Sequence, residues 1–433
     1  MRKQPLKQYI LVGSALFNWS ETQRMVEISD ELYQRGYEIV FIGQGKYDYL
    51  LNGKPYIREI LPYDSVWYTP ERISMMLGMD RYGINYATLD EIKNMVLQER
   101  GLIDKYKPAT ILTGYRTSLT ISAKLCKIPI VWCLSAALSK IYLTNIAQTA
   151  EQVQKLKRNT TLSYQDIRRL FEDKIACSRL LGPCKAHTAW NTFLANNGLP
   201  PLSCDLDIYT GDLNLMSDAA ELFKNLPQTD RYKFIGPILN NQYIPMPAFV
   251  PQILKKNPER KKVLISIGST GTRESLLKIL DSTLSFDCDF FVSVIGVLTE
   301  KDLVKYPENY YFCEKFPLID ICQKCDAAMI HGGQGTVYAT IAGQCPFISL
   351  PSTFEQRKNI ENILNHYKCG EIIRPYEMNA QSIKKALQNL LEVPDYQNQI
   401  NKLHEHLCKY FTNTRLSVIS AADYIEKLIN QVA

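Results

Sequence analysis

The segment AAMIHGGQGTVYATIAGQCPFISLPSTFEQRKN, residues 327–359, decides the fold of this chain. Ala327–Ile330 is a short apolar run that is typical of a buried parallel strand. The turn HGGQG follows at 331–335, and Thr336 is predicted to open a helix that Gly343 can end. A strand, a glycine turn and a helix in this order predict the ligand-binding edge of an open α/β sheet.

The glycine turn predicts a site for an anion, most often a phosphate. Free backbone N–H groups and the positive end of a helix dipole point at one place in such a turn. Three glycines, at 332, 333 and 335, let a diphosphate approach the backbone because no Cβ stands in the way. His331 is expected to add a charge-assisted hydrogen bond.

An acid and an amide follow the next predicted strand. Phe347–Leu350 is a second apolar run that Pro351 ends, and Glu355 and Gln356 then fall on a predicted loop. The loop is expected at the carboxyl edge of the sheet, where open α/β sheets bind ligands. The spacing therefore predicts that this pair lies beside the glycine turn.

Together these residues resemble the donor-site signature of the GT-B glycosyltransferases. The pattern consists of HGGxGT at 331–336, Gly343, Pro346, Pro351, Glu355-Gln356 and Asn359. It is most similar to the UDP-glycosyltransferase-like family of plant and antibiotic-tailoring enzymes. The resemblance implies an α/β chain of GT-B architecture, with two Rossmann-like, doubly wound parallel-sheet domains facing a cleft.

The resemblance also implies roles for single residues. In that family the histidine and the turn amides hold the nucleotide diphosphate, and the acid and glutamine hydrogen-bond the donor sugar. A Gly-Ser turn lies near the phosphates, and an aromatic-Pro pair packs against the nucleotide base. The donor-binding residues implied for this chain are Ser269, Thr270, Phe316, Leu318, His331, Gly333, Gln334, Gly335, Thr336, Glu355 and Gln356. The alternatives are an ordinary βα turn with a structural histidine, and a core position for Phe316.

The catalytic pair of the resembled family is missing from the first βαβ unit, whose strands are predicted at Tyr9–Ser14 and Glu38–Ile42. The resemblance places a general-base histidine where this chain has Glu21. It places a partner aspartate after the predicted strand Thr110–Thr113, where this chain has Thr113 or Gly114. The usual His/Asp pair is therefore unavailable.

Glu21 is the candidate catalytic residue in its place. A carboxylate can act as a general base if burial raises its pKa towards the working pH. The alternatives are a first-turn acid stabilised by the helix dipole, an acceptor that ionises by itself, and lost catalysis. His187, the only histidine of the N-terminal half, is predicted to be structural.

Length and proline content predict the domain organisation. A chain of 433 residues should form two or three domains. We expect an acceptor-binding domain over 1–239, a proline-rich linker over 240–258 and a nucleotide-sugar-binding domain over 259–411. Residues 412–433 are expected to form a helix that crosses back to the first domain.

Composition excludes several classes of protein. The chain is 46% apolar and 22% charged, which is ordinary for a soluble globular protein, and no apolar run reaches the length of a membrane span. A net charge of +6 does not mark a nucleic-acid binder, although it leaves peripheral membrane contact open. The 12 scattered cysteines favour reduced thiols in the cytoplasm. The CxxC at 322–325 lacks a second ligand pair, so no metal site is predicted.

We therefore expect a cytoplasmic, metal-independent, inverting hexosyltransferase that needs no cofactor and uses a UDP-sugar or dTDP-sugar as donor. The segment Ile57–Arg100 is rich in Tyr, Trp and Met, which suits a lipophilic or aromatic acceptor. The protein is expected to be a monomer or a homodimer. Two alternatives remain open: a lipid-linked or N-acetylhexosamine transferase of cell-envelope or polysaccharide synthesis, and a catalytically inactive partner of a glycosyltransferase.

Overall fold

Two compact units make up the chain in the computed structural model. The model describes residues 8–64, 87–156, 164–182, 187–239, 244–268, 271–294 and 296–432. Unit 1 comprises Met1–Ala220, Lys224–Gly236 and Arg415–Ala433, and unit 2 comprises Glu221–Phe223 and Pro237–Thr414. Each unit is built on one parallel sheet, so the predicted pair of Rossmann-like domains is confirmed.

Within the described part of unit 1, seven parallel strands form a sheet in the order β3-β2-β1-β4-β5-β6-β7. Its strands are β1 Tyr9–Gly13, β2 Glu38–Ile42, β3 Ile57–Glu59, β4 Thr110–Thr113, β5 Ile130–Leu134, β6 Leu213–Met216 and β7 Tyr232–Phe234. The strand order reverses between β1 and β4, where Gly13 pairs with Thr113. Ligands of such sheets bind beyond the carboxyl ends of the strands at this reversal.

Unit 2 repeats this plan with six described parallel strands in the order β10-β9-β8-β11-β12-β13. Its strands are β8 Lys261–Ser266, β9 Cys288–Ser293, β10 Tyr310–Cys313, β11 Ala327–Ile330, β12 Phe347–Ser349 and β13 Gly370–Ile372. The reversal falls between β8 and β11, where Ser266 pairs with Ile330. The stretch that decided the fold in the sequence therefore lies at the reversal of this sheet.

Helices follow the strands, as doubly wound sheets require. In unit 1 they are α1 Trp19–Gln34, α2 Leu89–Tyr106, α3 Ser118–Cys126, α4 Lys140–Leu156, α5 Tyr164–Leu181 and α6 Thr188–Asn196. In unit 2 they are α7 Phe249–Lys256, α8 Arg273–Thr283, α9 Glu300–Leu303, α10 Leu318–Cys322, α11 Gln334–Ala342, α12 Phe354–Tyr367, α13 Ala380–Glu392 and α14 Asp395–Thr412. The last helix, α15 Leu416–Val432, belongs to unit 1.

The central strands are buried along their length, because helices cover both faces of a parallel sheet. Helix α15 packs on α1, where Arg35 forms ion pairs of 2.7 Å with Asp423 and 2.6 Å with Glu426. The stretch predicted as a linker contains the helix α7. None of the described helices combines the length and the apolar character that crossing a bilayer demands.

Candidate functional site

Two glycine turns of unit 2 meet at the reversal of its sheet. Gly268 follows β8, has a φ of +64°, and accepts a turn hydrogen bond of 3.2 Å from the backbone N–H of Gly271. A Cβ at Gly268 would lie 2.6 Å from Nε2 of His331, which follows β11. The histidine ring therefore fills the space that a side chain at Gly268 would need.

The HGGQG turn has no room for side chains at its first two glycines. Gly332 has a φ of +87°, and a Cβ there would lie 2.9 Å from Ser349 Oγ and 3.0 Å from the Gln356 carbonyl oxygen. A Cβ at Gly333 would also collide with the ring of His331. Both glycines are thus required by the close approach of neighbouring groups.

Helix α11 presents its first amides at this turn. Gly333 is the N-cap, and the first intrahelical bond runs from the N–H of Val337 to the Gly333 carbonyl at 3.0 Å. The helix starts at Gln334, two residues before the predicted Thr336. Helix geometry leaves the N–H groups of the first turn without an intrahelical acceptor. Because Gly333 and Gly335 are partly exposed, backbone forms the accessible surface of the turn, which suits an anion.

Burial keeps His331 neutral. The side chain is buried, and desolvation lowers the pKa of the imidazole to about 4, against a smaller opposing effect of the Ser266 backbone. Its Nδ1 is buried without a hydrogen bond of good geometry. The charge-assisted hydrogen bond expected from the sequence therefore requires protonation of a ring whose pKa burial lowers, although a neutral ring still offers one N–H.

Glu355 and Gln356 lie in the first turn of α12, so their predicted placement on a loop is wrong. Thr353 caps this helix by accepting a hydrogen bond from the Gln356 N–H at 3.3 Å. Gln356 Oε1 in turn accepts from the N–H of Ser352 at 2.9 Å and from that of Thr353 at 3.2 Å. This reciprocal cap explains the early helix start, which the sequence T-x-x-Q at 353–356 could have indicated.

Phe316 is not a stacking surface for a nucleotide base. Its side chain is 1% exposed, and its ring packs edge-on against Phe291 at 5.9 Å and Phe249 at 6.2 Å. The prediction of a base-stacking role is therefore wrong, and the alternative of a core position holds. Leu318, at the start of α10, is half-buried. Ser269 and Thr270 lie outside the described residues.

A second candidate site lies at the reversal of the unit 1 sheet. Glu21 is in the first turn of α1, and Asn18 supplies the side-chain cap at 3.2 Å. The Glu21 side chain is fully buried, and its Oε2 accepts a hydrogen bond of 2.7 Å from Ser14 Oγ. Ser14 comes directly after β1, a position that marks ligand-facing residues and that could have indicated it from the sequence.

Gly114, which follows β4, lies directly against this carboxylate. A Cβ at Gly114 would be 2.5 Å from both Cγ and Oε1 of Glu21. The position where the resemblance expected an aspartate is thus in contact with the position where it expected a histidine. In this chain one glutamate occupies the space between them.

Burial raises the pKa of Glu21 to about 7. Desolvation is the main cause, and it outweighs the hydrogen bond from Ser14, the charge of Arg24 and the backbone amides of Tyr115 and Ala15, which lower the pKa. The opposite Oε1 is buried and makes no hydrogen bond of good geometry. A carboxyl group in this state changes its protonation near neutral pH, as a general base requires.

His187 pairs with a different acid. Its Nδ1 lies 2.9 Å from Asp205 Oδ1, and its ring lies edge-on to Tyr209 at 6.3 Å. Both side chains are buried. His187 directly precedes the helix α6, and Asp205 opens the short 3-10 helix Asp205–Tyr209 that comes after it. The acceptor-lining prediction falls mostly on residues 65–86, which lie outside the described residues; Tyr63 is half-buried.

Across the described ranges, no group of three or more His, Cys, Asp and Glu side chains could hold a metal ion. Asp287 and Asp289 pair instead with Arg260, at 2.5 and 3.3 Å. None of the cysteines that the structure describes forms a disulfide.

Comparison with known proteins points to sugar transfer. Residues 277–413 match the family model "Erythromycin biosynthesis protein CIII-like, C-terminal domain". A Mycobacterium tuberculosis "PGL/p-HBAD biosynthesis glycosyltransferase" is 23% identical over 92% of this chain and 88% of its own length. The "Aclacinomycin-T 2-deoxy-L-fucose transferase" of Streptomyces galilaeus is also 23% identical, over 42% of this chain and 43% of its own.

Solved structures share the fold over nearly the whole chain. The glycosyltransferase of kitacinnamycin superposes with a TM-score of 0.68 at 18% identity, covering 98% of this chain and 100% of that one. The glycosyltransferase VinC, solved with dTDP, gives a TM-score of 0.63 at 13% identity, with coverage of 98% and 100%. The two sheets therefore form a GT-B fold, and the matched sequences support a glycosyltransferase that is similar to the UDP-glycosyltransferase-like enzymes its donor-site pattern indicated.

Proposed function

We propose that the protein transfers a hexose from a UDP-sugar or dTDP-sugar to a hydroxyl of a lipophilic or aromatic acceptor, with inversion at the anomeric carbon. One observation carries the donor half of this proposal. Two glycine turns and the start of α11 converge on the buried ring of His331, which leaves accessible backbone amides for a diphosphate. VinC, a protein of the same fold, was solved with dTDP, so the proposal includes thymidine donors as well as uridine donors.

The diphosphate leaves with negative charge, and the glycine turns supply the groups that stabilise it. Amides of the α11 first turn donate to the phosphoryl oxygens, aided by the helix dipole. An anion beside His331 raises the pKa of the ring, because a nearby negative charge favours the protonated form. The hydrogen bond from the histidine therefore strengthens as the charge on the leaving group develops.

Glu355 and Gln356 are proposed to orient the donor sugar. The helix cap already engages Gln356 Oε1, so contact with a sugar oxygen falls to its amide NH₂ group. A carboxylate at Glu355 accepts hydrogen bonds only, which suits the hydroxyl donors of a hexose such as glucose. The capped helix fixes both side chains at its first turn.

Glu21 is proposed as the general base. Oε1 accepts the proton of the acceptor hydroxyl while the acceptor oxygen bonds to the anomeric carbon and the bond from that carbon to the diphosphate breaks. A single displacement of this kind inverts the anomeric configuration. Because Glu21 is fully buried, an acceptor must displace packed side chains to reach Oε1.

Turnover of a histidine variant tests the donor half. His331→Ala should lower the release of nucleoside diphosphate by on the order of 10²-fold or more, the usual loss for one strong transition-state donor. His366→Ala, at an exposed histidine of the same unit, is the matched control and should keep wild-type turnover. The screen covers UDP-, dTDP- and GDP-sugars, and the anomeric coupling of the product is read by NMR. Equal turnover in both variants, or retained configuration, contradicts the proposal.

A glycolipid acceptor is the second candidate. The mycobacterial PGL/p-HBAD biosynthesis relative aligns along nearly the whole chain, whereas the aclacinomycin transferase aligns over less than half. Parallel assays with a phenolic small molecule and with a phenol that carries a long acyl chain separate the candidates. Transfer to the acylated phenol alone favours the glycolipid role.

A further inference from the structure

We infer that Ser14 and Gly114 form a positioning pair for the carboxylate of Glu21: Ser14 holds one carboxylate oxygen, and Gly114 provides the space for the other. This inference rests on the proposed role of Glu21 as the base. It assigns positioning roles to two residues that contact the Glu21 side chain.

Ser14 connects the carboxylate to a constrained turn. Its Oγ donates to Glu21 Oε2 at 2.7 Å and accepts from the Leu16 N–H at 3.1 Å. Leu16 has a φ of +51°, a left-handed conformation that is uncommon for a leucine, and its carbonyl accepts from the Tyr47 N–H at 3.0 Å. Backbone held in such a conformation by its surroundings is frequent at functional sites. The turn therefore fixes which way the Ser14 hydroxyl points.

Gly114 leaves open the volume that Glu21 fills, and its backbone cannot easily withdraw. Thr113 Oγ1 donates to the Gly13 carbonyl at 3.0 Å on one side of it. On the other side, the buried Arg116 forms ion pairs of 2.8 Å with Glu99 and 2.7 Å with Asp64. A Cβ at Gly114 would lie 2.5 Å from Glu21 Oε1, so a side chain there must displace the carboxylate rather than the loop.

The charged and titratable groups around Glu21 are few in the described residues. Arg24, on the same helix, acts on Glu21, and Glu21 in turn acts on Cys133 of β5. Burial raises the pKa of the Cys133 thiol to about 11, so this group is neutral at physiological pH. After burial, the hydrogen bond from Ser14 has the largest effect on the pKa of Glu21, and it lowers that pKa.

The pH dependence of two variants tests the inference. Ser14→Ala removes a hydrogen bond to a charged group, so the acidic limb of the kcat profile should move up by about one pH unit or more. Activity at pH 6.5 then falls by about tenfold, while activity at pH 9 approaches the wild-type value. Ser14→Thr, which keeps the hydroxyl, should restore the profile. Ser217→Ala, at a buried serine after β6 that bonds to Leu134, should leave the profile in place.

Gly114→Ala tests the steric half. We expect a folded protein whose turnover falls by on the order of tenfold or more, because the base no longer meets the acceptor oxygen. Wild-type turnover in this variant overturns the role of Gly114, and an unmoved profile in Ser14→Ala overturns that of Ser14.

A second readout needs no activity. In protein labelled with ¹³C at glutamate carboxyls, the signal missing from Glu21→Gln should titrate near pH 7 in the wild type and higher in Ser14→Ala. Equal midpoints overturn the inference even if no donor is ever turned over. Absent turnover with shifted midpoints instead contradicts the proposed function alone.

Discussion

Replacing Glu21 by glutamine should make the protein more stable at alkaline pH, although it removes the proposed base. The folded-state pKa is about 7, against an ordinary value of 4.5 for the unfolded chain. Between these two values the unfolded state releases a proton that the folded state keeps. Stability from this group is thus fully present below pH 4.5 and is lost as pH rises through 7. Glutamine has nearly the same shape and does not titrate, so the Glu21→Gln protein does not lose stability in this way as the pH rises.

The expected size of the effect follows from the two pKa values. At about 1.4 kcal/mol for each factor of ten in the proton equilibrium, the wild type loses about 3 kcal/mol between pH 4.5 and pH 8 relative to Glu21→Gln. For a unit of this size that corresponds to roughly 6–12 °C in Tm. Between the two pKa values, the unfolding free energy of the wild type falls relative to that of Glu21→Gln by about 1.4 kcal/mol per pH unit.

Tryptophan fluorescence follows this unfolding transition selectively. All four tryptophans lie in unit 1, at positions 19, 67, 132 and 190. Urea titrations at a series of pH values give the unfolding free energy of wild type and variant, and their difference is the quantity to plot. Glu27→Gln, at a half-buried position of the same helix, is measured alongside as the control for removing a glutamate charge from this helix. A difference that does not change with pH for Glu21→Gln would refute the raised pKa of the buried Glu21 carboxyl, on which its proposed role as the general base depends.

Two further outcomes follow from the packing. Phe316→Ala should cost about 3–5 kcal/mol of unfolding free energy and leave the donor KM unchanged, because the ring is a core group; a stable variant with a raised KM would contradict this. Glu21→His and Gly114→Asp should each lower turnover, whereas the double variant should recover part of it, since a Cβ at position 114 would lie against side chain 21. A double variant no better than either single one would refute that contact.

The sequence predicted the reversal of the unit 2 sheet well, because its signals are local. The strand Ala327–Ile330 has the predicted bounds, and the glycines that follow it meet steric demands within a few residues. Helix starts were predicted less well. Phe354 joins α12 because Thr353 and Gln356 cap that helix reciprocally, and α11 begins at Gln334 directly after Gly333, which supplies no side-chain cap. Phe316 was misassigned because an aromatic residue beside a proline has the same sequence pattern in a core and at a ligand site.

The relation between Glu21 and Gly114 could not be predicted from either residue alone. They are far apart in the chain, and only the parallel pairing of β1 with β4 brings the ends of those strands together. The structure shows that the Glu21 side chain occupies the space beside Gly114, which neither residue indicates by itself.

Burial shifts the pKa of one titratable group in each unit, in opposite directions, and in both cases it favours the neutral form. Desolvation disfavours the charged form, so it lowers the pKa of His331 to about 4 and raises that of Glu21 to about 7. His331 is therefore neutral at pH 7, and about half of the Glu21 carboxyls are protonated. Each group gains charge most readily when its reaction partner arrives, because a diphosphate favours protonated His331 and an acceptor proton transfers to ionised Glu21. Turnover should accordingly increase from pH 6 to pH 8 with the titration of Glu21, while the titration of unligated His331 near pH 4 has no influence in that range.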